Sequence, residues 1–204
     1  MNQLLFATNN RHKIDEINAA IGHLVQVIGL KDAGIHVDIP EPHPTLEQNA
    51  TAKSSAIAVL TGRNCFSEDS GLEVPALNNE PGVRSARYAG DGGSSENNID
   101  KVLQKLKGKP DRSARFRTVI SLIWQNDQLL FEGVCEGSIT EFRRGTSGFG
   151  YDSIFLPSGY TKSFGEMDLE EKNRISHRRK AADKLVLFLQ QHGGTSGFIK
   201  PLLY

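Results

Sequence analysis

The sequence predicts an α/β fold on a mixed sheet. Short apolar, strand-like runs alternate with segments of helical periodicity, two long strand-like segments flank a tight turn, and the C-terminal third reads as helix. Taken in order, residues 3–7, QLLFA, form a buried-type run, and the polar turn TNNRHK follows at once. Ile14, Ile17 and Ile21 then recur at helical spacing over 13–21, and LVQVI at 24–28 alternates like a strand. Pro40, Pro42 and Pro44 exclude helix from the next loop. Thr45 and Gln48 predict a capping box for a helix running to about Leu60. Residues 65–74 read as extended, NNEPG as a turn, and Ser94 or Ser95 as the cap of a helix ending near Gly108. Segments 114–124 and 128–138 pair around Asn126–Asp127. GTSGFGYD is a glycine loop before the short strand SIFL, and helices follow over 168–174 and 177–191, the second capped by Ser176.

Composition narrows the class. At 204 residues, one domain spanning 1–204 is expected, and 24 basic against 24 acidic residues leave no global field to recruit nucleic acid or an anionic membrane. MNQLLFATNN has no basic flank and is expected to be a strand, not a signal peptide. No window approaches the ~20 apolar residues of a spanning helix. Cys65 and Cys135 fit reduced core residues of a cytoplasmic protein better than a disulfide or a zinc site. The tail HGGTSGFIKPLLY fits no pattern.

Several clusters carry chemistry. In EDSG, Glu68 and Asp69 stand side by side at the entry to a core, and adjacent carboxylates call for a cation or for hydrogen-bond donors. An aspartic-protease loop is disfavoured, because that chemistry needs two such loops and the chain offers one. A metal-ligating or base-type carboxylate fits better, with Glu41 as a possible second ligand, and oxygen ligands without a His/Cys cluster point to Mg²⁺. TNNRHK joins a strand to a helix, where free N–H groups and the positive helix end suit an anion, and Thr8, Asn10 and Lys13 add donors. Lys53 falls inside the stripe Leu46, Ala50, Ile57, Leu60, so it must snorkel or meet an anion, either Asp69 or a bound phosphate. In GFGYD, Phe149 could stack on a base and Asp152 could accept from loop N–H groups. His177 and Arg178 open the last helix, where cations oppose the dipole.

The blocks FATNNRHK, EDSGLEV, PGVRSARYAG, GFGYDSIF and NRISHRRKA, in this order, resemble the inosine/xanthosine triphosphate pyrophosphatases over residues 3–190. The resemblance implies an elongated mixed sheet with flanking helices and two lobes around a central cleft, in a homodimer. It implies Mg²⁺-dependent hydrolysis of non-standard purine nucleoside triphosphates (ITP, dITP, XTP) to the monophosphate and pyrophosphate. Carried over by motif, Asp69 would be the general base and a metal contact, with Glu41 the second metal position. The run Thr8, Asn9, Asn10, Arg11, His12 and Lys13 would bind substrate, Thr8, Asn10 and Lys13 holding the triphosphate with help from Lys53. Ser70 would touch substrate, and Phe149, Gly150, Tyr151, Asp152, Lys172, His177 and Arg178 would hold the nucleoside, His177 and Arg178 donating to the 6-oxo group. Family members often read Asp-Asp-Ser-Gly, so Glu68 departs from the pattern. Two other readings stay open: a nucleotide-binding module without catalysis, and a nucleic-acid binder using KGKPDRSARFR and NRISHRRK.

Overall fold

The computed structural model describes residues 3–90 and 94–192. Its elements are β1 (Gln3–Phe6), α1 (Arg11–Ile21), β2 (Gln26–Gly29), α2 (Leu46–Thr61), β3 (Cys65–Val74), β4 (Glu80–Pro81), α3 (Ser95–Lys105), β5 (Ser113–Trp124), β6 (Asp127–Ile139), β7 (Phe155–Pro157), α4 (Leu169–Asn173) and α5 (His177–His192). The strands run in the order β2-β1-β3-β5-β6-β7, with β4 paired to β3. β1 lies parallel to β2 and β3, whereas β3–β4 and β6–β7 are antiparallel, so the sheet is mixed as expected.

The helix starts follow from local chemistry. Asn10 accepts from the Lys13 N–H, Thr45 from the Gln48 N–H and Ser94 from the Asn97 N–H, each satisfying a donor that the first turn leaves unpaired. Asp168 and Glu171 close a capping box on α4. The hairpin turn falls one residue earlier than expected. Gln125 and Asn126 take positive φ, which a two-residue type I′ hairpin turn demands of both central residues, and β6 opens at Asp127. The buried stripe of α2 stops at Ile57, because Leu60 is 59 % exposed.

The chain forms two compact units. Among the described residues the first comprises 3–69, 118–133 and 178–192, the second 70–90, 94–117 and 134–177, so β3, β5 and β6 run through both. In the first unit, strand alternation splits the apolar residues between two faces. Leu4, Phe6 and Phe66 pack on Ile14, Ile17 and Ile21 of α1 and on Ala181, Ala182 and Leu185 of α5, with the Phe6 and Phe66 rings stacked at 4.3 Å. Leu5, Ala7 and Cys65 face the other way, onto Ile57 of α2. Burial pushes the Cys65 thiol up to about 12, as expected of a reduced core residue. The second unit has its own core, in which Leu72 and Val74 join Ile99 and Val102 of α3 and an aromatic group of Phe116, Phe155 and Phe164. No helix among the described residues is long and apolar enough to cross a membrane.

Candidate active site

Strand β3 carries the alternation of the first unit into its two acids. Residues 65, 67 and 69 turn toward α2: the Cys65 thiol reaches the Ser54 carbonyl, Ser67 donates to the Ala50 carbonyl, and Asp69 Oδ2 accepts from Asn49 at 3.2 Å. Residues 66 and 68 turn toward α1 and α5. Glu68 Oε2 accepts from Arg178 Nε at 2.7 Å, and Oε1 accepts from Arg178 Nη2 at 2.9 Å and meets Lys13 Nζ at 3.0 Å. Arg178 Nη1 also donates to Glu16 of α1.

On the α2 side, Lys53 is 7 % exposed, bonds Glu41 from the proline loop and lies 3.8 Å from Asp69. A lysine in the apolar stripe has thus found its anions within the chain. Asn49 pins the loop by accepting from the His43 N–H and donating to the His43 carbonyl. Burial pushes the Asp69 carboxyl above its ordinary value, with Glu41 adding to the rise and Lys53, Lys13 and Asn49 opposing it. A raised carboxyl suits a proton acceptor working near neutral pH. Burial also works against charge on Glu68, but Arg178 and Lys13 outweigh it and hold that carboxyl well below the usual range.

At the start of α1, Thr8 Oγ1 accepts from the Asn10 N–H at 3.2 Å, and Asn10 caps the Lys13 N–H. Asn9, Asn10, Arg11 and His12 are exposed; Arg11 pairs with Asp15 and Asp32 on the surface.

The second unit holds another buried set. Asp152 Oδ2 accepts from the Phe149 N–H at 2.9 Å, as the glycine loop predicts, and from Lys172 Nζ at 2.6 Å. Any side chain at Gly148 would collide with that carboxylate, and φ there is positive, so the tight loop requires glycine. The Lys172 ammonium sits 5.0 Å from the Phe149 ring centroid, and His177 is buried and stacked on Phe116 at 4.6 Å. Phe149, Gly150 and Asp152 line a pocket of about 530 Å³. The PGVRSARYAG block braces this unit. A side chain at Gly71 would strike the Gly82 carbonyl, Ser85 accepts from the Leu72 N–H, and the Tyr151 hydroxyl donates to the Ser85 carbonyl.

Residues 4–188 match the model of the Ham1 family. The chain belongs to that family. Relatives of this Ham1-family chain include a dITP/XTP pyrophosphatase of Christiangramia forsetii, 46 % identical over 93 % of this chain and 100 % of its own length, and one of Porphyromonas gingivalis, 47 % identical over 93 % and 98 %. Among solved structures, the Staphylococcus aureus Ham1 protein superposes with a TM-score of 0.84 at 39 % identity, covering 93 % of this chain and 98 % of its own. A HAM1 protein of Coxiella burnetii superposes at 0.85 and 36 %, covering 94 % and 100 %.

The structure therefore gathers Lys13, Glu41, Lys53, Asp69 and Arg178 in the first unit, and Phe149, Tyr151, Asp152, Lys172 and His177 in the second, which Ser70 opens. Two further buried residues of the first unit's clusters escaped the sequence reading. Glu16 is buried in α1 beside Ile17, and Asn49 is buried in α2 beside Ala50. The signal that found Lys53, a polar residue inside an apolar stripe, would have found both.

Proposed function

We propose that this chain hydrolyses non-standard purine nucleoside triphosphates (ITP, dITP, XTP) to the monophosphate and pyrophosphate. The observation that carries the reading is the buried Asp69, its carboxyl raised, held by Asn49 and Lys53 beside Glu41. Family membership and the names of the relatives support the substrate class.

Asp69 takes the proton of the water that attacks the α-phosphate, and the bond to the leaving pyrophosphate breaks. Lys13 and Lys53 face the negative charge of the phosphates, and Thr8 and Asn10 with the first N–H groups of α1 orient them. Phosphoryl chemistry is mostly positioning and charge stabilisation, which this set supplies. Asp69 and Glu41 fit Mg²⁺, a hard cation that commonly takes one or two carboxylates and leaves its other positions to water and substrate phosphate. Bound there, it would neutralise charge developing on the phosphate oxygens. Lys53, which bonds one of these carboxylates and lies near the other, marks the spot as attractive to positive charge.

In the second unit, Phe149 offers a face for the purine, with Lys172 above the ring as a donor for a 6-oxo acceptor. Tyr151 and Asp152 hold the loop, and Gly150 keeps it tight. Arg178 orients Glu68 and Glu16 in this reading. A homodimer and a cytoplasmic location belong to the same reading, the latter supported by two buried, unbridged cysteines.

The nucleic-acid alternative draws less support. In KGKPDRSARFR, Arg112 donates to the Ile139, Leu106 and Thr140 carbonyls, and Arg115 and Arg117 pair with Glu73. Pyrophosphate release from ITP, XTP, ATP and GTP, with and without Mg²⁺, tests the proposal. Release from ITP and XTP in preference to ATP supports it; tight ITP binding with no pyrophosphate released would make the chain a non-catalytic nucleotide binder.

A further inference from the structure

The carboxylate beside the proposed base has no role in the proposed reaction, yet it is buried and held by two cations. The Glu68 side chain is 0 % exposed, and both of its oxygens accept from Arg178 or meet Lys13. With Glu16 it completes a formally neutral set of two acids and two bases. Three of the four are closed off: the side chains of Glu68, Glu16 and Arg178 are 0 to 4 % exposed, whereas Lys13 is 17 % exposed. Lys13 is thus where the network reaches the surface, at the first turn of α1. A flexible lysine loses rotamer entropy when it is fixed, and a partner that fixes it removes that cost before a ligand arrives.

We propose that Glu68 is a positioning residue for phosphate recognition: it holds the Lys13 ammonium toward the substrate's phosphates and takes no metal. The inference rests on the pyrophosphatase reading. Strand alternation separates Glu68 from the Asp69–Glu41 pair, and its oxygens are already committed to Arg178 and Lys13. Arg178, locked on Glu68 and Glu16, keeps the carboxylate from turning.

Pyrophosphate alone reads the phosphate end without the base, so its binding is measured by calorimetry with Mg²⁺ present, alongside ITP kinetics. The chains compared are wild type, Glu68→Gln, Glu68→Asp, Lys13→Met and the Lys13→Met/Glu68→Gln double variant. Glu68→Gln should weaken pyrophosphate about tenfold, Glu68→Asp less, and the Mg²⁺ concentration for half-maximal rate should stay within about twofold of wild type. In the Lys13→Met background, Glu68→Gln should cost nothing further, because its effect passes through the lysine. The double variant also restores formal charge balance, so it decides the matter where Glu68→Gln alone is too unstable to assay. Unchanged pyrophosphate affinity in Glu68→Gln, or an equal loss in both backgrounds, overturns the proposal. A raised Mg²⁺ requirement overturns it in favour of a metal ligand. A wild type that binds pyrophosphate but releases none from ITP sinks the functional reading, while the binding cycle still decides the role of Glu68.

Discussion

Glu68 and Asp69 are consecutive, and their carboxylates serve opposite faces of β3: Glu68 bonds Arg178 of α5, and Asp69 bonds Asn49 of α2. Successive side chains of a pleated strand point to opposite faces. Two acids that would repel if they shared a face are thereby given separate partners. One is paired with Arg178 and Lys13 and held low, and the other is left raised and beside a second carboxylate.

Asp69→Asn keeps the Asn49 contact in reach but removes the proton acceptor. Turnover of ITP should fall by at least ~10²-fold, the scale of losing a general base, with an unchanged circular dichroism spectrum. Near-normal turnover would remove Asp69 from the mechanism.

Chelation should abolish activity and added Mg²⁺ should restore it, since one or two carboxylates hold this cation weakly without substrate phosphate. Glu41→Gln should raise the Mg²⁺ concentration giving half-maximal rate. A titration matching wild type would leave Glu41 as no more than the partner of Lys53.

The base end separates by residue. Phe149→Ala should weaken ITP and ATP alike, because every purine has a face to stack. Lys172→Met should shrink the ITP-to-ATP ratio of kcat/KM, because the ammonium favours a 6-oxo acceptor over an amino donor. Arg178→Ala should slow both nucleotides alike and lower stability by ~3–5 kcal/mol, the cost of breaking a buried ion pair. A selective loss of ITP in that variant would return Arg178 to reading the base.

Acid stability has a definite sign. Glu68 is held below its ordinary value of 4.5, so as pH falls past that value the unfolded chain takes up a proton that the folded chain refuses. Its stabilisation is present above that value and is lost as pH falls. Asp69 works the other way: its carboxyl is raised, so its contribution declines as pH rises past its ordinary 3.8. Urea unfolding from neutral pH downward should show stability falling steeply in the wild type and less steeply in Glu68→Gln. Parallel curves would mean that the Glu68 network contributes nothing to acid stability.

The sequence by itself determined the elements and singled out several of the polar residues that the structure buries. Periodicity, caps and turn residues are local, so Ile14, Ile17 and Ile21 announced α1, Thr45 opened α2, and Asp152 was expected to hold its own loop before any fold was known. A charge inside an apolar stripe is also local, which is why Lys53 stood out. Tertiary structure decided the pairings. That Glu68 would meet Arg178, 110 residues away, that Glu16 would complete the pair, and that Lys53 would choose Glu41 depend on which helix packs on which face of β3. Burial makes such partners obligatory, but only the packed chain brings them within hydrogen-bond reach.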